Sequence, residues 1–312
     1  MSTASPAPSP TPTGAVGISL RTSVAAKLAD YLELTKPRIA VLVLVSVTVG
    51  FVLGSAGNWR VVPLLHALLG IGLVAAGSSA LNQLLERRID ARMDRTAHRP
   101  LPAGRMLPGE VLLFGLSACV LGSLYLAATV NVVTAVLATL TLLLYVMIYT
   151  PLKRVTALCT AVGAIPGAMP PVLGWTAAGG WLEAEAFVLF GILFLWQFPH
   201  FLAIAWIYRS EYSRAGLRML PAYRPSLRMA GFLSVGYVLC LLPVSLLPSR
   251  FALAGGSYFL AATVLGIGYL VCAIRFALTE SPQTARGLVL SSLLYLPLLL
   301  LALTWDHLQL LS

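Results

Sequence analysis

Charge is what this chain has least of. Only eleven of its 312 residues are acidic, and charged residues of both signs make up 10% of the sequence. A soluble domain carries about a quarter. With 58% hydrophobic residues and a mean hydropathy of +0.87, the composition excludes an ordinary soluble fold and indicates a polytopic membrane protein forming one membrane domain. Cysteine is also scarce. Cys119, Cys159, Cys240 and Cys272 are isolated and form no CxxC pair, so neither a disulfide framework nor a zinc site is indicated. The net charge of +10 does not point to nucleic acid, because the basic residues are spread between apolar segments. The first 30 residues carry no charge before Arg21 and are rich in Pro, Ser and Thr. They are expected to be a disordered tail. They lack the basic region followed by an apolar stretch that marks a signal peptide. Residues 31–312 are then the membrane domain.

Long apolar runs are abundant. About 20 residues are needed to cross roughly 30 Å of hydrocarbon, and nine such runs are read at 38–56, 61–81, 110–129, 132–150, 159–177, 186–207, 229–248, 255–276 and 287–306. The expected fold is an all-α bundle of about nine transmembrane helices, with two polar cytoplasmic loops capping a central cavity. Placing the N-terminus in the cytoplasm puts all of the 21 basic residues except Arg60 and Arg250 on the inner side, Arg224 included. That satisfies the positive-inside rule and suits a multi-pass protein of a bacterial cell membrane. Pro166, Pro170, Pro171, Pro199 and Pro297 predict kinks. The Gly/Pro cluster from Gly163 to Gly174 predicts an irregular fifth span, a feature tolerated at membrane depth where it lines a cavity.

The two inner loops differ from everything around them. In the first, Asn82, Glu86, Asp90 and Asp94 recur every four residues, which on a helix keeps them within roughly 40° of one direction per step. The stripe offers only oxygen ligands, the preference of a hard cation such as Mg²⁺. Arg87, Arg88, Arg95, Arg99 and Arg105 nearby would repel a bare metal but hold one bound to phosphate. Span 6 leads into the second through Gln197-Phe-Pro-His200 and on to Glu211 and Tyr212. His200 and Glu211 lie eleven residues apart, about three helical turns, and are expected on one face. Tyr149-Thr-Pro-Leu-Lys153-Arg154 ends span 4, and its two cations can either anchor the span or clamp a diphosphate.

Together these strings resemble the intramembrane UbiA-type prenyltransferase superfamily, and within it the heme O synthases (protoheme IX farnesyltransferases). The resemblance runs from Tyr31 to about Trp305. It is carried by Thr35-Lys-Pro-Arg38, Asn82…Glu86…Asp90…Arg95-Thr…Arg99-Pro-Leu-Pro102, Tyr149-Thr-Pro-Leu-Lys-Arg154, Val162-Gly-Ala-Ile-Pro-Gly-Ala-Met-Pro-Pro171 and Gln197-Phe-Pro-His-Phe-Leu-Ala-Ile-Ala-Trp206. The acidic motif by itself identifies only the superfamily; the last two strings are more specific. The resemblance implies Mg²⁺ held by Asn82, Glu86, Asp90 and Glu211. It implies diphosphate held by Arg95, Arg99, Lys153, Arg154 and Tyr149, and catalytic roles for Asn82, Glu86, Asp90 and His200. Its substrates are farnesyl diphosphate and heme B, its products heme O and diphosphate. Expected partners are membrane lipid and, among proteins, a heme A synthase or terminal oxidase assembly factors. His200 would contact heme through its iron or a propionate, or handle the water that completes the reaction; the residues do not choose between these.

Three other readings compete. The same chemistry on an aromatic acid shares the acidic motif, but the Gln197–Trp206 string favours heme. A transporter would place ionisable groups near the bilayer midplane, whereas these cluster at one membrane face. An electron-transfer heme protein would need axial ligands in its spans, and only His200, with His66 a weaker second, is so placed.

Overall fold

A computed structural model describes residues 24–220 and 228–312; the expected tail before Val24 and Arg224 lie outside the described residues. Among the described residues the chain is helical, with no strand. An amphipathic helix α1 (Val24–Leu34) precedes the spans α2 (Pro37–Gly54), α3 (Val61–Asp90), α4 (Pro108–Thr129) and α5 (Val132–Leu152). They are followed by α6 (Cys159–Ala177), α7 (Ala184–Ile207), the short α8 (Arg209–Arg214), α9 (Met229–Leu246), α10 (Gly256–Leu278) and α11 (Pro282–Leu311). Eight of these are long and apolar enough to cross a membrane, so the protein is an integral, multi-pass membrane protein. The expected fifth span, α6, is a continuous helix of 19 residues whose glycines and prolines dilute its apolar character.

Two apolar cores build the bundle. One gathers α2 to α6 around Val47, Phe51, Ile71, Val74, Leu126 and Leu173. The other joins α7, α9, α10 and α11 around Leu189, Ile192, Tyr258, Tyr269, Phe276 and Leu299. Leucine, valine and isoleucine also cover the outside, as in Leu113, Leu121, Val264 and Leu301. Such a surface is expected where the surrounding solvent is hydrocarbon.

Three expectations are corrected. α1 begins at Val24, so the expected boundary at residue 30 falls inside a helix. That helix is held down by Leu34, fully buried, and by Asp30 paired with Arg105 at 2.9 Å. α6 runs unbroken through Pro166, Pro170 and Pro171. Tight packing on α2 overrides the proline penalty: a Cβ at Gly50 would be driven into the Pro171 carbonyl, and one at Gly174 into that of Val47. The irregular backbone lies instead at the end of α5, where residues Leu144–Tyr149 form a π-helical turn closed by Thr150 N–H donating to the Tyr145 carbonyl.

Because backbone meets backbone at Gly50, Gly50→Ala is expected to lower stability by about 1–3 kcal/mol. Gly256→Ala, with open space at its Cβ, should leave the melting temperature in detergent within a degree or two. A thermal melt of the two variants checks this.

Candidate active site

The last turns of α3 carry the acidic stripe to one end of the bundle. Asn82, Glu86 and Asp90 are buried, at 1%, 9% and 2% exposure. Asp94 is not with them. α3 stops at Asp90, and Asp94, its side chain 87% exposed, pairs loosely with Arg214 at 3.5 Å. The four-residue register is kept only while the helix lasts.

Each of the three buried residues is capped by a different cation. Lys36 Nζ donates to Asn82 Oδ1 at 3.1 Å, Lys153 Nζ to Glu86 Oε1 at 2.7 Å, and Arg99 Nη1 to Asp90 Oδ2 at 2.7 Å. The pairing has an electrostatic cause, since a carboxylate removed from water at a membrane boundary is costly unless a cation and hydrogen bonds accompany it. The π turn completes the arrangement. It presents Thr150 Oγ1 to the Asn82 amide at 3.1 Å and places Tyr149 under the Lys153 ammonium, 4.5 Å from the ring centre. Lys36 was not among the residues expected to form the site. Its position before a helix-starting proline reads as a simple membrane anchor, and only its left-handed backbone, φ 50° and ψ 64°, turns it toward Asn82. Such a conformation in a non-glycine residue costs about 1–3 kcal/mol and collects at functional sites.

The second polar loop folds over the first. Ile89 and Met93 pack with Tyr212, Ala215 and Leu217. Arg95 lies against Tyr208 and Tyr212, 5.2 and 5.4 Å from their ring centres, and donates to the Tyr212 hydroxyl at 3.1 Å. The Arg218 N–H donates to the Lys153 carbonyl. Glu211 comes in on α8 with its Oε2 buried and without a partner among the described residues. Other expected members are not gathered here. Arg154 is exposed, without a polar side-chain partner among the described residues. Arg105 is engaged by Asp30 and Glu33 on α1. The expected common face for His200 and Glu211 does not exist, because the helix breaks at Tyr208. His200 instead meets Ser292 of α11 at 2.7 Å and stacks on Trp196.

No three His, Cys, Asp or Glu side chains lie close enough to form a metal cage by themselves among the described residues. The donor set still fits a hard cation brought in with an anion. Glu86 and Asp90 each give one oxygen to a cation and keep the other without a protein partner among the described residues, and Glu211 adds an unsatisfied oxygen. Below this polar cap lies an apolar cavity of about 350 Å³. Lys36 and Tyr149 stand at its polar end, and Ile39, Val43, Ile71, Val74, Leu142 and Leu173 form its walls. A charged head and an apolar tail would both be accommodated.

Residues 43–305 match the UbiA prenyltransferase family. The chain belongs to that family. It is similar to the protoheme IX farnesyltransferase of Solibacter usitatus, 47% identical over 86% of this chain and 96% of the relative. It is also similar to that of Koribacter versatilis, 46% identical over 92% and 96%. Among solved structures, a digeranylgeranylglyceryl phosphate synthase covers 91% of this chain and 99% of its own, with a TM-score of 0.77 at 17% identity. A UbiA homologue of Archaeoglobus fulgidus bound to GPP and Mg²⁺ covers 88% and 99%, with a TM-score of 0.62 at 17% identity. These likenesses give the UbiA fold, and membership of the family makes the protein a prenyltransferase.

Burial, with the nearby charges of Arg99 and Lys153, lowers the Lys36 ammonium to about 8, against partial compensation from Glu86 and Asp90. A bound anion favours the charged form, so the complex holds a proton that free Lys36 releases above pH 8. Metal-free binding of a soluble diphosphate monoester is therefore expected to weaken as pH rises through 8, by up to about tenfold per unit for one linked proton. Phosphate ionisation is already complete there. Calorimetry on Lys36→Arg should show the decline removed.

Proposed function

We propose that this protein transfers the farnesyl group of farnesyl diphosphate to a vinyl group of heme B, with addition of water, giving heme O and diphosphate. The observation that carries the reading is the meeting of an oxygen-ligand set, its cations and an apolar cavity at one membrane face. The identity of the acceptor is supported by the activity named for relatives over nearly their whole length and by the Gln197–Trp206 string. The chain from α1 onward acts as one catalytic domain of a bacterial cell membrane protein. The charge asymmetry supports a site and an N-terminus on the cytoplasmic side.

Asn82, Glu86, Asp90 and Glu211 would hold Mg²⁺. When bound, the metal supplies Lewis-acid neutralisation of the departing diphosphate. The chain's own residues do the rest. Binding of the substrate frees Lys36, Lys153 and Arg99 from their oxygen partners and turns them to the diphosphate, where negative charge grows as the carbon–oxygen bond breaks. Arg95 of the first loop, fixed between Tyr208 and Tyr212 of the second, adds charge where the loops meet, and exposed Arg154 reaches the same anion from its rim. The cavity walls keep water from the allylic cation. His200 serves the acceptor side. Ser292 donates its hydroxyl hydrogen to the Val289 carbonyl at 2.6 Å, so His200 Nδ1 must be the donor toward Ser292. That leaves Nε2 with its lone pair for the heme or the incoming water.

Membranes containing the protein, supplied with heme B, farnesyl diphosphate and Mg²⁺, should form heme O detectable by mass spectrometry. Glu86→Gln, Asp90→Asn and a chelator should each cut the product by at least about a hundredfold, the scale of losing one major electrostatic group. Prenyl transfer to an aromatic acid instead of heme would overturn the acceptor and keep the metal site.

A further inference from the structure

Gln197 lies on the wall of the apolar cavity and has no part in the mechanism above. Its carboxamide nitrogen donates to the Ala164 carbonyl at 2.8 Å and to the Leu193 carbonyl at 3.2 Å. Both amide hydrogens are thus committed. The orientation is fixed as well, because a flipped amide would set its oxygen against two carbonyl oxygens. The freed atom is Oε1, an acceptor with no proton to offer. It lies over Gly167, where any Cβ would collide with it, and Gly167 lines the same cavity.

Its depth follows from α6. Gly163 faces the Tyr149 ring, and that ring carries the Lys153 ammonium. Gly167 is one turn further in, about 6 Å along the helix. A diphosphate held by Lys153 would therefore put its first isoprene unit beside Gln197 Oε1. Burying an amide here, at 3% exposure, is costly unless its groups are used. The oxygen is the group left over.

We propose that Gln197 is a catalytic residue whose carboxamide oxygen stabilises the allylic cation. As the C1–O bond breaks, its electron pair leaves with the diphosphate, and positive charge spreads over C1 and C3 of the prenyl group. The negative end of the fixed amide dipole faces that charge in a low-dielectric wall, where it acts more strongly than in water. The acceptor's π electrons then form the new carbon–carbon bond, and the positive charge passes to the acceptor carbon. Water captures it and gives its spare proton to the released diphosphate, and the amide is unchanged. The inference deepens the prenyl-transfer reading and rests on it.

The test compares Gln197→Met, which keeps the volume and loses the oxygen, with Gln197→Glu, which when protonated in this apolar wall keeps the carbonyl oxygen and one donor, and with Gly167→Ala, which pushes the amide aside. Initial rates of heme O formation and melting temperatures would be measured for each. Gln197→Met is expected to lower kcat about 10- to 100-fold, with KM for farnesyl diphosphate within threefold. Gly167→Ala should follow it, and Gln197→Glu should recover at least a third of the wild-type kcat. A kcat within threefold of wild type in Gln197→Met would overturn the proposal. So would a loss confined to KM, or a Gln197→Glu enzyme that melts like wild type and is as slow as Gln197→Met. An inactive wild type would instead sink the reading of the reaction beneath it.

Discussion

Carboxylates near hydrocarbon cannot stand alone, and the polar end of this bundle is built around that constraint. Three oxygen-bearing side chains on the last turns of α3 are each held by a cation drawn from a different part of the chain. Lys36 comes from before α2, Lys153 from after α5, and Arg99 from the loop beyond α3. The pairs tie four segments together at one point. They also define what can replace them. Only a ligand that brings both a cation for the carboxylates and an anion for the amines can break all three pairs without leaving a buried charge behind. Metal and diphosphate satisfy this together and neither does alone.

That exchange makes the substrate-free site stable and the loaded site selective. A metal by itself would have to expel Lys153 and Arg99 into an apolar surround. A diphosphate by itself would leave Glu86 and Asp90 uncompensated. Binding of the two is therefore thermodynamically coupled, each raising the affinity of the other by the same factor. The second loop adds to the coupling, since its Tyr212 accepts from Arg95 of the first loop and its Arg218 backbone meets the Lys153 turn.

Much of this was legible in the sequence, and the failures have local causes. The spans follow from hydropathy because hydrocarbon demands it. The Asn82–Glu86–Asp90 stripe follows from helical geometry. Asp94 departs from the stripe because the period holds only inside the helix, and no cap signal marks its end at Asp90. The His200–Glu211 face was lost to a break at Tyr208, where neither Gly nor Pro announces one. Prolines suggested that α6 was irregular, yet close backbone packing at Gly50 and Gly174 keeps it helical. The real irregularity, the π turn, occupies Leu144–Tyr149, which contains neither glycine nor proline. Lys36 was hidden by its ordinary appearance, since a lysine at a span boundary is the default of the positive-inside rule. The one available signal was its place directly before a helix-starting proline, in the string Thr35-Lys-Pro-Arg38.

α7 has the clearest division of labour in the bundle. Gln197 faces α6 and the cavity, whereas His200, three residues on, faces α11 through Ser292. On a helix three residues turn the direction by about 300°, so the two side chains diverge by about 60°. The prenyl chain and its acceptor must meet at one bond, yet they differ in shape and cannot share one slot. A helix that turns one polar group to each side separates the two binding regions while keeping them a few ångströms apart. On the proposed function the polar cap would hold the diphosphate end at a fixed depth, and the reacting carbon would then be placed along this helix by the length of the substrate itself.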